Sequence, residues 1–231
     1  MPFHQQRHAP ERSAPHSGIP MIRAYIDYQN AYRLLKDKVG LCLQSVRMGA
    51  LIDELLESVG EVSAPPHRAF SAIHSEDVDP ESRTRRIKQF DALRHHEGIS
   101  VYSRDYAYRK NAAGYLQCRE KGIDVRLGCE IVAAAADGHI DGVLIWSADQ
   151  DLSEAVKIAR EVAAARHRHF RIYGVETEGM NPVAGTTPIK LTRPLLYRNL
   201  RGDDAALLEN APQGESATEL LNFRSLIPAH G

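Results

Sequence analysis

The chain has little cysteine, no long apolar run and almost no net charge. Cys42, Cys118 and Cys129 are its only thiols among 231 residues, an odd number without zinc-type pairing, so a disulfide framework and a Cys-rich zinc fold are both excluded. They are expected to be ordinary buried thiols in a reducing cytoplasm. No segment approaches the ~20 apolar residues that a membrane span requires. Met1 to Pro20 is rich in His, Pro and Arg and lacks the apolar stretch of a signal peptide. It reads as a disordered extension, its histidines His4, His8 and His16 solvated, with the folded part beginning at Met21. A net charge of -1 argues against a globally basic nucleic-acid binder and leaves local basic stripes open.

With 43% hydrophobic residues, the chain is long enough for one generous α/β domain with tails. Val143, Leu144, Ile145 and Trp146 form an unbroken apolar run that suits a strand buried on both faces of a parallel sheet. The run stops at Ser147, and after Asp149 and Asp151 a helical pattern of Leu152, Ala155, Val156, Ala159, Val162 and Ala163 takes over. Further strands are expected at Ile22–Ile26, Ala69–His74, Ile99–Ser103 and Phe170–Val175. Helices are expected from Asn30 or Ala31, over Met48–Val59, from Asp79-Pro80-Glu81 to near Gly98, from Asp124 to Gly138, and over Asp151–Arg166. The third of these has a thin stripe of Ile87, Phe90 and Leu93. Asp105 to Leu116 is either a loop or a hairpin. Strands alternating with helices imply right-handed crossovers and a mostly parallel sheet with helices on both faces. The domain is expected over 21–176. Residues 177–231 read as a partly disordered C-terminal extension with a short strand at Ile189–Leu191 and a short helix at 205–208.

Asp149 and Asp151 lie on a strand-to-helix turn, and in open α/β sheets such turns line the ligand-binding crevice. Asp27 closes the first strand and Asp124 opens a helix, so both occupy equivalent positions. Carboxylates from three turns on one rim repel each other unless a cation joins them. A Mg2+ or Mn2+ site is therefore expected, with Asp27, Asp124 and Asp149 as ligands and Asp151 as ligand or water-holder. No His or Cys stands in these turns, which argues against Zn2+. Simpler roles exist for each group. Asp124 and Asp151 suit helix caps, Asn30 either caps its helix or orients Asp27, and Ser147 is either a turn hydroxyl or a donor to phosphate. Lys121, Arg83 and Arg86 are candidate phosphate contacts, or else solvated cations. Tyr106, Tyr108 and Tyr115 are either packing residues or platforms for unpaired bases. Asp141, at the other end of its strand, is expected to be structural.

Taken together, Asp27 with Asn30, the segment Lys121-Gly122-Ile123-Asp124-Val125, Glu130, and Ser147-Ala148-Asp149-Gln150-Asp151 resemble the NYN domain family of PIN-like and FLAP-like nucleases. The resemblance runs from about Ile22 to Val175. It implies a three-layer α/β/α sandwich (PIN-like, Rossmann-like) that hydrolyses RNA with Mg2+ or Mn2+ held by Asp27, Asp124 and Asp149. Asp151 is then a supporting acid and Asn30 a positioning residue. Tyr28 and Ala148 stand where the family usually has Gly, Leu152 where it often has Phe, and Glu130 where it usually has Asp; larger side chains at the Gly positions would narrow the site. RNA is the expected partner, homo-oligomerisation is left open, and the alternative is a regulatory module on the same fold that binds RNA or nucleotide without cutting it.

Overall fold

A computed structural model describes residues 20–202 apart from 40, 42, 178 and 179. Cys42, the N-terminal histidines and the expected helix at 205–208 lie outside the described residues. In chain order the elements are β1 (Met21–Asp27), α1 (Tyr28–Leu34), α2 (Met48–Glu57), β2 (Val62–Ser63), β3 (His67–Ile73), α3 (Pro80–His96), β4 (Ile99–Asp105), β5 (Ala107–Lys110), β6 (Leu116–Arg119), α4 (Ile123–Ala136), β7 (Gly142–Trp146), α5 (Ser153–Ala165), β8 (Arg171–Glu176), β9 (Thr187–Lys190) and α6 (Arg193–Arg198).

The main sheet runs β4-β3-β1-β7-β8-β9, all parallel, and β2 pairs with the start of β1 below β3. From β1 the chain winds outward through β3 to β4, then returns across β1 to β7 and winds the other way. The reversal makes a topological switch point between the carboxyl ends of β1 and β7, where open α/β sheets bind ligands.

Strand alternation divides the core in two. Leu144 and Trp146 of β7 face the layer of α1, α2, α3 and α6, where Leu51, Ile52, Phe90 and Leu196 are buried. Val143 and Ile145 face α4 and α5, against Leu127, Ile131, Val156 and Ala159. This is a three-layer α/β/α sandwich with a mostly parallel sheet, as expected. No helix among the described residues is long and apolar enough to cross a membrane.

Local chemistry moves several boundaries. α1 begins at Tyr28 rather than Asn30, because the Asp27 carboxylate caps it. Asp79 caps α3, with Pro80 in its first turn, as that sequence suggests. Phe90 is the one fully buried residue of α3, and Ile87 is 39% exposed. Asp105 to Leu116 contributes to an antiparallel hairpin, β5–β6, outside the main sheet. The sheet continues past 176: β9 extends it, and Leu195, Leu196 and Leu200 are buried. Cys118 and Cys129 are exposed, not buried. Cys118 lies on the hairpin, while Cys129 lies two residues beyond buried Leu127 on α4, about 200° around the helix from it.

Candidate active site

Asp27 ends β1 with only 6% of its surface exposed. Its Oδ1 accepts the Asn30 backbone N–H at 3.0 Å, and its Oδ2 accepts the Ser147 hydroxyl at 3.2 Å. Ser147, fully buried at the end of β7, in turn accepts the Asp149 backbone N–H at 3.1 Å. Asn30 completes the seam by accepting the Ala148 backbone N–H on Oδ1 at 3.3 Å. Asp149 Oδ1 accepts the Asp151 N–H at 3.0 Å and so caps the short turn before α5. Asp27, Asn30, Ser147 and Asp149 are thus assembled on adjacent central strands. Ser147 spends its single proton on Asp27, which makes it a strut between the two turns and leaves none to donate to a phosphate. Asn30 lies inside α1, where its side chain ties the opposite turn instead of capping.

Asp124 enters from the α4 side. Gly122 precedes that helix with φ of 77°, a left-handed turn that glycine adopts without strain, and it places Asp124 in the first turn of α4. Asp124 does not take the capping position. Asp151 is exposed on the short turn.

Glu120 is the acid that the sequence reading passed over. Its carboxylate accepts the Ala72 backbone N–H at 3.2 Å at the end of β3, which brings it to the same rim. Only the Gly122 turn just after it hints at the position in the sequence, since β6 before it is exposed throughout and shows no strand pattern.

These carboxylates interact unfavourably. Burial pushes Asp27 up to about 6, with Glu120 and Asp124 adding to the rise against the hydrogen bonds from Asn30 and Ser147. Burial raises Asp124 as well, helped by Asp149 and then Asp151. Burial raises Glu120, and Asp124 contributes in the same direction. Among the described residues no three His, Cys, Asp or Glu side chains stand close enough to hold one ion unaided. The donors are nonetheless all carboxylate oxygens in mutual repulsion, the chemistry that suits a hard cation which keeps part of its water shell and shares substrate oxygens. The carboxylates at this rim that could each contribute an oxygen are Asp27, Glu120, Asp124 and Asp149.

The expected phosphate contacts separate. Arg83 pairs with Asp105 at 2.6 Å and donates to the His74 carbonyl at 2.7 Å. Arg86 lies over the Tyr28 ring at 5.0 Å and the Tyr32 ring at 5.8 Å, and its Nη1 is buried without a hydrogen-bond partner. It borders a cavity of about 280 Å3 lined also by Arg85, Ser82, Gln89, His74 and Tyr106. Lys121 is exposed ahead of α4. Tyr28 does not narrow the site: it is buried, edge-on to Phe90 at 5.3 Å, and serves as the platform for Arg86. Glu130 stays out of the carboxylate group. It pairs with Arg126 and with Arg68, and Arg68 stands beside Tyr25, two residues short of the level of Asp27. Asp141 is structural at the opposite end of the sheet, accepting the Met21 N–H at 2.9 Å.

A parallel α/β/α sandwich with carboxylates gathered at the switch point is the architecture of the PIN-like nuclease class. The chain belongs to the NYN domain family, whose sequence pattern matches residues 22–183. A crystal structure of a protein of unknown function from Vibrio parahaemolyticus is similar to it with a TM-score of 0.51 and 16% identity, covering 78% of this chain and 98% of that one. At that identity the likeness is one of fold. No curated protein matches the chain significantly in sequence. The domain is therefore nuclease-like, a hydrolase fold of RNA-related type.

Proposed function

We propose that the protein is a metal-dependent ribonuclease that hydrolyses RNA phosphodiesters at the Asp27–Asp124–Asp149 rim. The observation that carries this reading is Asp27, a buried carboxylate pushed up to about 6 by burial and two neighbouring acids, an arrangement that costs stability unless a cation offsets it. Asp27, Asp124 and Asp149 would hold Mg2+ or Mn2+ together with water and substrate oxygens. When bound, the ion polarises the phosphate, lowers the pKa of water and offsets charge on the leaving oxygen. Water adds to phosphorus and releases a proton to solvent, the P–O bond to the leaving ribose oxygen breaks, and that oxygen takes up a proton from solvent. Asn30 and Ser147 keep the Asp27 and Asp149 turns in register, and Asp151 and Glu120 are placed to accept hydrogen bonds from solvent at the rim. Arg86, which borders the adjoining cavity, holds a flanking phosphate, with Lys121 on the α4 side.

The test is incubation of the protein with labelled structured and unstructured RNA in Mg2+, Mn2+ or EDTA, beside Asp149→Asn. Cleavage by the parent protein that EDTA abolishes, and that the variant loses by 100-fold or more while keeping its fold, is the expected result. RNA retained without cleavage in every metal would replace the nuclease with a non-cutting RNA-binding module.

A further inference from the structure

The β5–β6 hairpin is the largest feature that the proposed site does not use. From Tyr106 to Arg119 the sequence has three cations, Arg109, Lys110 and Arg119, and no carboxylate. Register orders them. Ala107 pairs with Arg119 and Arg109 with Gln117, so these four share one face of the ribbon, while Tyr108, Cys118, Lys110 and Leu116 share the other. The Tyr108 hydroxyl bonds to His74 Nδ1 and accepts the Ser75 N–H, both at 3.1 Å, which anchors its face against the β3–α3 connection. Arg109, Gln117 and Arg119 therefore look away from the body. Arg109 and Arg119 are exposed, and among the described residues neither side chain has a hydrogen bond or ion pair.

The tip is rigid and aromatic. Asn111 Oδ1 accepts the N–H groups of Ala113 and Tyr115 at 3.0 and 2.9 Å. Tyr115 is held there 72% exposed, with its aromatic face open to solvent. The other two tyrosines are engaged, Tyr106 with Gln29 and Tyr108 as above. Arg119 is followed directly by Glu120 of the acidic rim, so the arm stands at the edge of the site.

We infer that the β5–β6 hairpin is an RNA-gripping arm: Arg109 and Arg119 neutralise backbone phosphates beside the cut site, and Tyr115 stacks on an unpaired base. A cationic ribbon face without acids, ending in a free aromatic ring, matches the two chemistries of a single strand, its phosphates and its base faces. The inference rests on RNA being the ligand of the acidic rim, and it adds a binding element separate from the catalytic carboxylates.

The experiment measures equilibrium binding of a fluorescent single-stranded RNA in EDTA across a salt series, so that cleavage does not enter. Arg109→Gln/Arg119→Gln is expected to lower the slope of log K against log salt by about 1.4, the loss of two single-strand phosphate contacts. Arg109→Lys/Arg119→Lys keeps the slope, as does Arg94→Gln on α3, and Tyr115→Ala weakens binding at least fivefold where Tyr115→Phe does not. An unchanged slope in the double Gln variant, no RNA binding by the parent protein, or tighter binding of the DNA oligomer of the same sequence would each overturn the inference. Cleavage with an unchanged slope removes the arm and leaves the nuclease. An arm-dependent slope without cleavage in any metal leaves the arm and removes the nuclease.

Discussion

Asp27→Asn is expected to stabilise the metal-free protein while abolishing cleavage. The folded protein moves Asp27 from an ordinary 3.8 to about 6, and each unit corresponds to about 1.36 kcal/mol. The ionised carboxylate therefore costs about 3 kcal/mol above pH 6. Asparagine keeps an oxygen for the Asn30 N–H, but its NH2 group cannot accept the Ser147 hydroxyl, a loss of about 1 kcal/mol. The net gain is about 2 kcal/mol in EDTA at pH 7.5, or roughly 4–8 °C in Tm for a domain of this size. The sign reverses the usual carboxylate case. Because the folded pKa lies above the unfolded one, the native state holds more protons between about pH 4 and 6, and this group's contribution to stability falls as pH rises through that window. The variant's advantage should thus shrink on going from pH 7.5 to pH 4. Urea unfolding in EDTA at both pH values measures it, and saturating Mn2+ should stabilise the parent protein but not the variant. If Asp27→Asn were less stable than the parent protein at pH 7.5 in EDTA, the carboxylate would not be under electrostatic load and the case for a cation there would fail.

Arg86→Met should remove the guanidinium that borders the cavity, raising KM for RNA by about tenfold with kcat nearly unchanged; steady-state kinetics separate the two, and an unaltered KM refutes the contact. Tyr173→Phe removes the hydroxyl that donates to Oε1 of buried Glu61 and leaves Arg171, 3.1 Å from that oxygen, as its remaining partner, so urea unfolding should report a loss of about 1–3 kcal/mol. Burial, reinforced by Glu61, pushes Tyr173 up to about 12, so the parent protein should lose stability as pH rises from 10 to 12, and Tyr173→Phe should flatten that decline. A Cβ on Gly142 would fall 2.3 Å from the Arg171 carbonyl oxygen. Gly142→Ala should therefore force β7 and β8 apart and lower stability by about 1–3 kcal/mol; an unchanged urea midpoint would contradict that packing.

The sequence was most legible where one residue type has one dominant physical use. Four apolar residues from Val143 to Trp146 have no polar face, so only a strand covered on both sides suits them, and Asp79-Pro80-Glu81 combines cap, fixed φ and first-turn acid. Asp27 and Asp149 were readable because an acid at the end of such a strand has few alternatives. The start of α1 was misplaced because Asp27 serves as both cap and site residue, and a cap is recognised only once its acceptor is seen. Glu120 was missed because the elements before it, β5 and β6, carry no apolar periodicity and so mark no strand end. Cys129 was assigned to the core from its apolar neighbours, yet on α4 it is angle along the helix, not neighbourhood, that decides burial. The short strand at Ile189–Leu191 was legible, but β9 is four residues long with only Ile189 buried, too little to show that it extends the sheet of the domain past 176.

β1 and β7 are nearest neighbours in the sheet although Asp27 and Asp149 are more than a hundred positions apart in the chain. During synthesis, a growing chain that has reached α4 already carries Asp27, Glu120 and Asp124, but it has neither the strand that closes beside β1 nor the hydroxyl and carboxylate at its end. The acidic rim is completed only when β7 slots into the middle of a sheet whose other half was made first. A fragment that ends at α4 therefore lacks the Asp149 turn, and on the proposed reading the order of translation would itself withhold cleavage until β7 has been made.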